Sequence, residues 1–393
     1  MNTSASVFDP APRFPRGFSC ASRLVGLKKE GRDLSLFVCD VTAAAAAVFT
    51  RNQFPGAPVV LGRETMRGGV LRAIVVNSKV SNVATGEAGV ANARRMAAAA
   101  AAEVGCAETE VLVSSTGVIG VPLPIEKIEA GIAGMTSELQ TDPFVGAQGI
   151  MTTDTYAKAL SMSVGEATLT IVAKGAGMIE PNMATMLVYI FTDAQFEASE
   201  LDTMLRAAVH VSFNMLSVDT DTSTSDTCVI MANGMAGDAE RSEFEAALRD
   251  GCIRMTELLA RDGEGATKLL RCSVHGAGTE ADARRVAKSI INSPLVKTMA
   301  HGADPNVGRL LMAIGKCFDV QLNPGATRCS INGVVVVDRG ERADFDEPAL
   351  RLELRGDPID IVIELGVGDA GAIAYGCDLT AGYIEENASY YSS

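Results

Sequence analysis

Helix-like and strand-like patterns alternate along the whole 393-residue chain, with no internal repeat and no long linker. This interleaving limits the fold more than any other feature. A chain that switches repeatedly between periods of 3.6 and 2 has to stack helices on sheets. Val70–Val76 (VLRAIVV) is a short apolar run with β-branched residues and reads as a buried strand, as does Glu110–Ser115 (EVLVSS). Two stretches, Ala43–Ala47 and Ala97–Ala102, are alanine-rich. The second lies in a run of strong helix formers from Asn92 to Val104 that stops at Gly105. Asp202–Ser212, Glu243–Asp262 and Ala281–Ile291 also read as helices. Ser330–Val337 and Leu352–Leu365 alternate apolar and polar residues, as strands packed on one face do. The expected architecture is a layered α/β protein. At about 100–200 residues per domain, the length allows two or three domains or one large layered one.

Charge and residue usage then remove several function classes. The chain carries 34 Lys+Arg against 48 Asp+Glu, a net charge of −14, which argues against binding nucleic-acid phosphates by bulk electrostatics. No run of apolar residues is long enough to predict a membrane-spanning helix, and the first residues lack the apolar core of a secretory signal. The nine cysteines are scattered without a CxxC or CxH pair, which suggests a reducing compartment and a cytoplasmic protein. Only His210, His275 and His301 are available, so a zinc site or a Ser-His-Asp triad has little to build with.

Three motif-like stretches read as structural. Gly366–Gly371 matches GxGxxG, but too little chain follows to complete a dinucleotide-binding unit, so it reads as a turn. Asp219-Thr-Asp-Thr-Ser-Thr opens like a calcium loop, yet lacks the sixth-position glycine and has Ile230 where the bidentate glutamate belongs. His301 reads as a structural hydrogen-bonder.

Lys174–Asp193 (KGAGMIEPNMATMLVYIFTD) is different. A glycine-rich turn and a proline lead through Asn-Met-Ala-Thr into a strongly apolar strand, Met186–Phe191. A threonine at a strand start is ordinarily just a β-branched residue in a fitting place. If the Ala184–Thr185 bond were cut, however, Thr185 would gain an α-amine beside its own hydroxyl. With a pKa of about 7.7–8.0, that amine can serve as general base without any histidine.

KGAGMIEPNMATML resembles the self-cleavage motif of the ornithine acetyltransferase family, which includes the bifunctional glutamate N-acetyltransferase/amino-acid acetyltransferase of arginine biosynthesis. The resemblance continues through FTRNQFPGAPVVL (49–61), STGVIG (115–120), IMTTDT (150–155), SVDTDTSTSDT (217–227), DGEGATK (262–268), NSPLVKT (292–298), DPNVGR (304–309), AIGKC (313–317) and YGCDLTAGY (375–383). It implies an α-β-β-α sandwich of the self-processing N-terminal-nucleophile type. Cleavage between Ala184 and Thr185 would give an alpha chain, 1–184, and a beta chain, 185–393, assembling as a heterotetramer or larger.

The family's roles carry over at matching positions. Thr185 would be the nucleophile, and Thr116 and Gly117 the oxyanion hole that a tetrahedral intermediate needs. Lys174 would hold a substrate carboxylate, Thr152 would be a further substrate contact, and Glu264 would face the substrate's amino group. Asn387 and Ser392 would bind substrate polar groups. Taken without the family, each of these reads as a solvated or capping residue. The implied reaction is ping-pong transfer of acetyl from N2-acetylornithine to glutamate, with no coenzyme, metal, nucleic acid or membrane involved. The alternative is a related self-processing aminopeptidase or amidohydrolase that releases the acyl group to water.

Some residues depart from the family pattern. NSKVSNVATG (77–86) replaces a sequence close to NSGNANACTG, Val307 stands where tryptophan is usual, and Met215 where arginine is common. NVATG and VAKGAGMIEP are closer to ornithine acetyltransferase-like proteins of secondary-metabolite clusters, such as that for clavulanic acid.

Overall fold

One long strand sets the architecture of the first part of the molecule. In the computed structural model, which describes residues 7–180 and 186–388, the chain divides into two units. The first comprises Met1–Gly175, Pro181–Asn214 and Thr222–Met255, and the second Ala176–Glu180, Met215–Asp221 and Thr256–Ser393. The first unit contains β1 (Phe18–Arg23), β2 (Leu34–Phe49), α1 (Ala57–Thr65), β3 (Val70–Asn77), α2 (Gly86–Val104), β4 (Val111–Ser115), α3 (Ile125–Ile132), α4 (Pro143–Ile150), β5 (Lys158–Val164), β6 (Ala167–Lys174), β7 (Leu187–Gln195), α5 (Ala198–Val211), β8 (Thr227–Asp238) and most of α6 (Arg241–Arg261). Its strands run in the order β4-β3-β2-β8-β7-β6-β5, with β1 also paired to β2.

The register of β2 against β3 shifts between Val38 and Ala43, and β2 changes its other neighbour there. Residues Leu34–Cys39 pair with β1, and Ala44–Phe49 pair with β8. The sheet thereby folds over on itself. Phe37 of β2 meets Tyr189 and Phe191 of β7 at ring separations of 5.3 and 5.6 Å. Because side chains alternate along a strand, each half has an inner and an outer face. Phe37, Ile74, Val76, Leu112, Tyr189 and Phe191 fill the inner layer. Leu36, Val38, Val75 and Val113 face outwards onto α1, α2 and α3. Against the outer face of the other half, Gly251 of α6 lies close to Met162 of β5 and Ile171 of β6. The layers of this unit are therefore α, β, β, α. The alanines of α2 let that helix approach closely, with Ala93, Ala97, Ala100 and Ala101 buried, and Gly105 at φ 75 ends it. The other alanine run, Ala43–Ala47, is strand.

The second unit contains β9 (Leu269–Ala277), α7 (Glu280–Ile291), α8 (Pro294–His301), α9 (Gly308–Gly315), β10 (Arg328–Ile331), β11 (Val334–Asp338), β12 (Glu341–Arg342), α10 (Glu347–Glu353), β13 (Ile359–Glu364), β14 (Ala370–Cys377) and α11 (Ala381–Ala388). Its sheet order is β12-β11-β10-β13-β9-β14, and α7 packs on β9 and β14 through Ala283, Val286, Ala287, Ile290 and Ile291.

Two strand expectations fail here. Ser330–Val337 is a hairpin and not one strand. Asn332 and Gly333 take φ 46 and 82, the left-handed pair that a tight two-residue turn demands. Leu352–Leu365 is strand only from Ile359. Leu352 and Glu353 close α10, a helix capped by Asp346, whose carboxylate accepts the Ala349 N–H at 3.0 Å. All nine cysteines are free thiols.

Candidate active site

The Thr116-Gly117 turn follows β4, where the apolar strand runs out of layer to fill. Thr116 N–H donates to the Asn77 carbonyl at 3.0 Å, and Val118 N–H to the Lys79 carbonyl at 2.9 Å. The amide of Thr116 is thus spent on the fold. The Thr116 hydroxyl and the Gly117 N–H have no hydrogen-bond partner among the described residues, so the fold leaves both donors unused. Gly117 has φ 127, and a Cβ there would overlap the Lys79 backbone. The turn is therefore built on the segment 77–86 that departs from the family pattern. Asn77 braces it further, accepting the Ser115 hydroxyl at 2.6 Å and donating to the Val80 carbonyl at 2.8 Å.

Lys174 ends β6, is buried, and donates to the Thr152 hydroxyl at 3.3 Å. Sequence reasoning picked out both residues but missed what stands behind them. Asp154, fully enclosed, accepts the Thr152 N–H at 2.9 Å, the Gly175 N–H at 2.7 Å and the Lys158 ammonium at 2.7 Å. Burial pushes the Asp154 carboxyl up, but the charges of Lys158 and Lys174 and these hydrogen bonds outweigh it and hold the group below its ordinary value. Lys28 also approaches, donating to the Met151 carbonyl at 2.7 Å. Burial lowers its pKa, against the pull of Asp33 and Asp154. The only sequence hint was the i,i+4 spacing of Asp154 and Lys158, which by itself looks like a surface pair.

In the second unit, Glu264 and Asn387 come together, with Asn387 Nδ2 donating to Glu264 Oε2 at 2.7 Å. The carboxylate lies against Gly177, where any Cβ would overlap it. Asn387 belongs to α11, which is tied down by Thr380 Oγ1 to Gly265 O at 2.6 Å and by Tyr383 OH to Asp219 Oδ2 at 3.4 Å. Burial, with Asp219 and Glu264 nearby, raises the Tyr383 phenol. Ala184, Thr185 and Ser392 lie outside the described residues.

The discarded motifs have structural partners. His301 Nδ1 sits 3.1 Å from Asp378 Oδ2, and that carboxylate also takes the Thr267 and Lys268 amides. Gly366–Gly371 makes the connection from β13 into β14. Val307 and Met215 are buried apolar residues.

The sequence matches the ArgJ family over residues 19–392. The chain belongs to the ArgJ family. It is 44% identical over 382 residues to the arginine biosynthesis bifunctional protein ArgJ 2 of Clostridium acetobutylicum, covering 96% of this chain and 98% of that protein. It is equally, 44%, identical over 389 residues to the glutamate N-acetyltransferase Oat2 of Streptomyces clavuligerus, covering 97% and 99%. Identity alone therefore does not separate the two groups to which the motifs point. A crystal structure of the ArgJ protein of Bacillus halodurans is 38% identical. It superposes at a TM-score of 0.51, covering 52% of this chain and all of that one. Among the described residues, no helix is long and apolar enough to cross a membrane.

Proposed function

We propose that this ArgJ-family chain is a self-cleaving threonine acetyltransferase of arginine biosynthesis or a related secondary-metabolite pathway. It moves the acetyl group of N2-acetylornithine to glutamate. The observation that carries the reading is a lysine cluster with two buried members. Lys158 and Lys174 are buried beside Asp154, and the half-buried Lys28 lies within electrostatic reach of Lys79, Lys174, Asp33 and Asp154, so four ammonium groups face two carboxylates around Lys174 in a chain of net charge −14. Both substrates carry an α-carboxylate, so one ammonium serves donor and acceptor in turn. The names of the C. acetobutylicum and S. clavuligerus relatives support the same chemistry.

The Thr185 hydroxyl first attacks the Ala184 carbonyl. The acyl group shifts from nitrogen to oxygen, which frees the Thr185 α-amine, and water then opens the ester, restoring the Thr185 hydroxyl and giving fragments 1–184 and 185–393. The amine then takes the proton of its own hydroxyl as that oxygen attacks the acetyl carbonyl of N2-acetylornithine. Thr116 Oγ1 and Gly117 N–H stabilise the oxyanion. Ornithine leaves, glutamate enters, and its amine takes the acetyl from Thr185. Lys174 and Thr152 hold the carboxylate. Glu264 faces the amino group, with Asn387 and Ser392 binding the polar groups. The fragments assemble as a heterotetramer or larger.

Intact mass tests both halves of this reading. Purified protein should give the two fragment masses, and Thr185→Ala should remain one chain. Brief exposure to N2-acetylornithine should add one acetyl group to fragment 185–393, and glutamate should remove it. Loss of the acetyl group at the same rate without glutamate would make the protein a hydrolase.

A further inference from the structure

Asp219, the first residue of the stretch that mimics a calcium loop, holds backbone instead. Its Oδ2 accepts the Met178 N–H at 2.6 Å and its Oδ1 the Ile179 N–H at 2.7 Å. Met178 has φ 54, a left-handed conformation that a side chain disfavours. The main chain completes the grip. Val218 N–H donates to the Ile179 carbonyl at 2.7 Å, and Glu180 N–H to the Asp221 carbonyl at 3.0 Å. Helix α7 and its capping residue Asn292 then hold the Glu180 side chain. Asn292 Nδ2 donates to Oε2 at 2.8 Å, and the Lys288 ammonium stands 3.7 Å from Oε1 while donating to the Leu216 carbonyl at 2.7 Å. Every residue of this clamp belongs to the second unit. On the far side of the scissile segment, the Met186 carbonyl accepts the Thr227 N–H at 3.1 Å, and Leu187 enters β7.

We propose that Asp219 is a positioning residue for self-cleavage. Its carboxylate holds the strained turn at Met178, and Glu180, gripped by Asn292, fixes the chain where it enters the segment to be cut. This rests on the reading that the Thr185 hydroxyl cuts the Ala184–Thr185 bond. Intramolecular attack depends steeply on approach geometry, and a displacement of about 1 Å costs about a hundredfold in rate. A turn held by two charge-assisted hydrogen bonds at a left-handed residue supplies that control at a fixed distance along the chain.

The test follows the full-length chain as it converts to fragments, by intact mass over time. Asp219→Ala removes both acceptor oxygens and should slow cleavage about ten- to a hundredfold, the scale of a small displacement. Asp219→Asn keeps one acceptor and should recover part of the loss. Glycine adopts a positive φ without support, so adding Met178→Gly to Asp219→Ala should also restore part of the rate. Glu180→Ala should slow cleavage, and Glu180→Gln, which keeps an oxygen for Asn292, should slow it less. Thermal midpoints in the uncleavable Thr185→Ala background should stay close to one another, separating positioning from loss of fold. Wild-type cleavage in Asp219→Ala, or slow cleavage that neither Asp219→Asn nor Met178→Gly relieves, overturns the proposal. A wild-type chain that stays whole removes the self-cleavage reading itself, and this proposal with it.

Discussion

Asp154 is ionised in a place where burial alone would neutralise it. Two ammonium groups and two amides keep it charged, and its depressed pKa fixes the sign of its contribution to stability. A carboxyl with a lowered folded-state pKa stabilises the protein above its ordinary value of 3.8, and that stability is lost as pH falls through the folded-state pKa. Asp154→Asn would leave the Lys158 ammonium, whose side chain is 0% exposed, without its countercharge. Breaking such a buried pair costs about 3–5 kcal/mol. Urea unfolding at neutral pH should show a loss of this order, and the gap between variant and wild type should close in strong acid. An equal gap at both pH values would mean that Asp154 is not the titrating group. The family resemblance pointed to Thr152 and Lys174 but passed over Asp154. The carboxylate in TTDTYAK looks like any solvated one, and burial comes from β5, β6 and the loop after α4 meeting in space, which spacing does not reveal.

At the scale of elements, the Thr116-Gly117 turn, proposed as the oxyanion hole, depends on two different properties of adjacent residues. Thr116 contributes a hydroxyl, and its amide is already bonded to Asn77. Thr116→Ala should therefore leave the fold intact while slowing acetyl transfer by about 10²-fold or more, the effect of removing one oxyanion donor. Gly117→Ala should be worse, because a Cβ overlaps the Lys79 backbone and φ 127 excludes side chains. It should lower the thermal midpoint as well as kcat. A Gly117→Ala protein with wild-type kcat would remove this turn from the chemistry. The turn was legible because a strand followed by Thr-Gly is a local signal. The helices α2, α5, α6 and α7 were legible for the same reason, each being a long periodic run. Errors arose where one alternation served two elements. Leu352 continues the strand-like pattern of β13 but ends α10, where it is 64% exposed. Ala43–Ala47, rich in a helix former and left without an expected element, is strand because β3 and β8 pair with it on either side.

Across the whole molecule, the expected cut does not divide the fold into two separate bodies. Each unit takes residues from both sides of the Ala184–Thr185 bond. In the first unit, β7 and β8, which follow the bond, lie between β2 and β6, which precede it. Lys174 through Leu169 of β6 pair with Leu187 through Thr192 of β7, and Ala44–Phe49 of β2 pair with Ala232–Thr227 of β8. Two backbone ladders and the inner aromatic layer, with Phe37 on one fragment and Tyr189 and Phe191 on the other, thus join the fragments without the peptide bond. Cleavage should leave them inseparable under native conditions. They should elute together in size-exclusion chromatography, unfold in one transition, and part only in denaturant. Fragment 1–184 expressed alone should aggregate, because it would expose the open edges of β6 and the second half of β2, which are templates for pairing with other chains. Fragments that separate in native buffer, or a soluble and monodisperse fragment 1–184, would contradict a sheet shared across the cut.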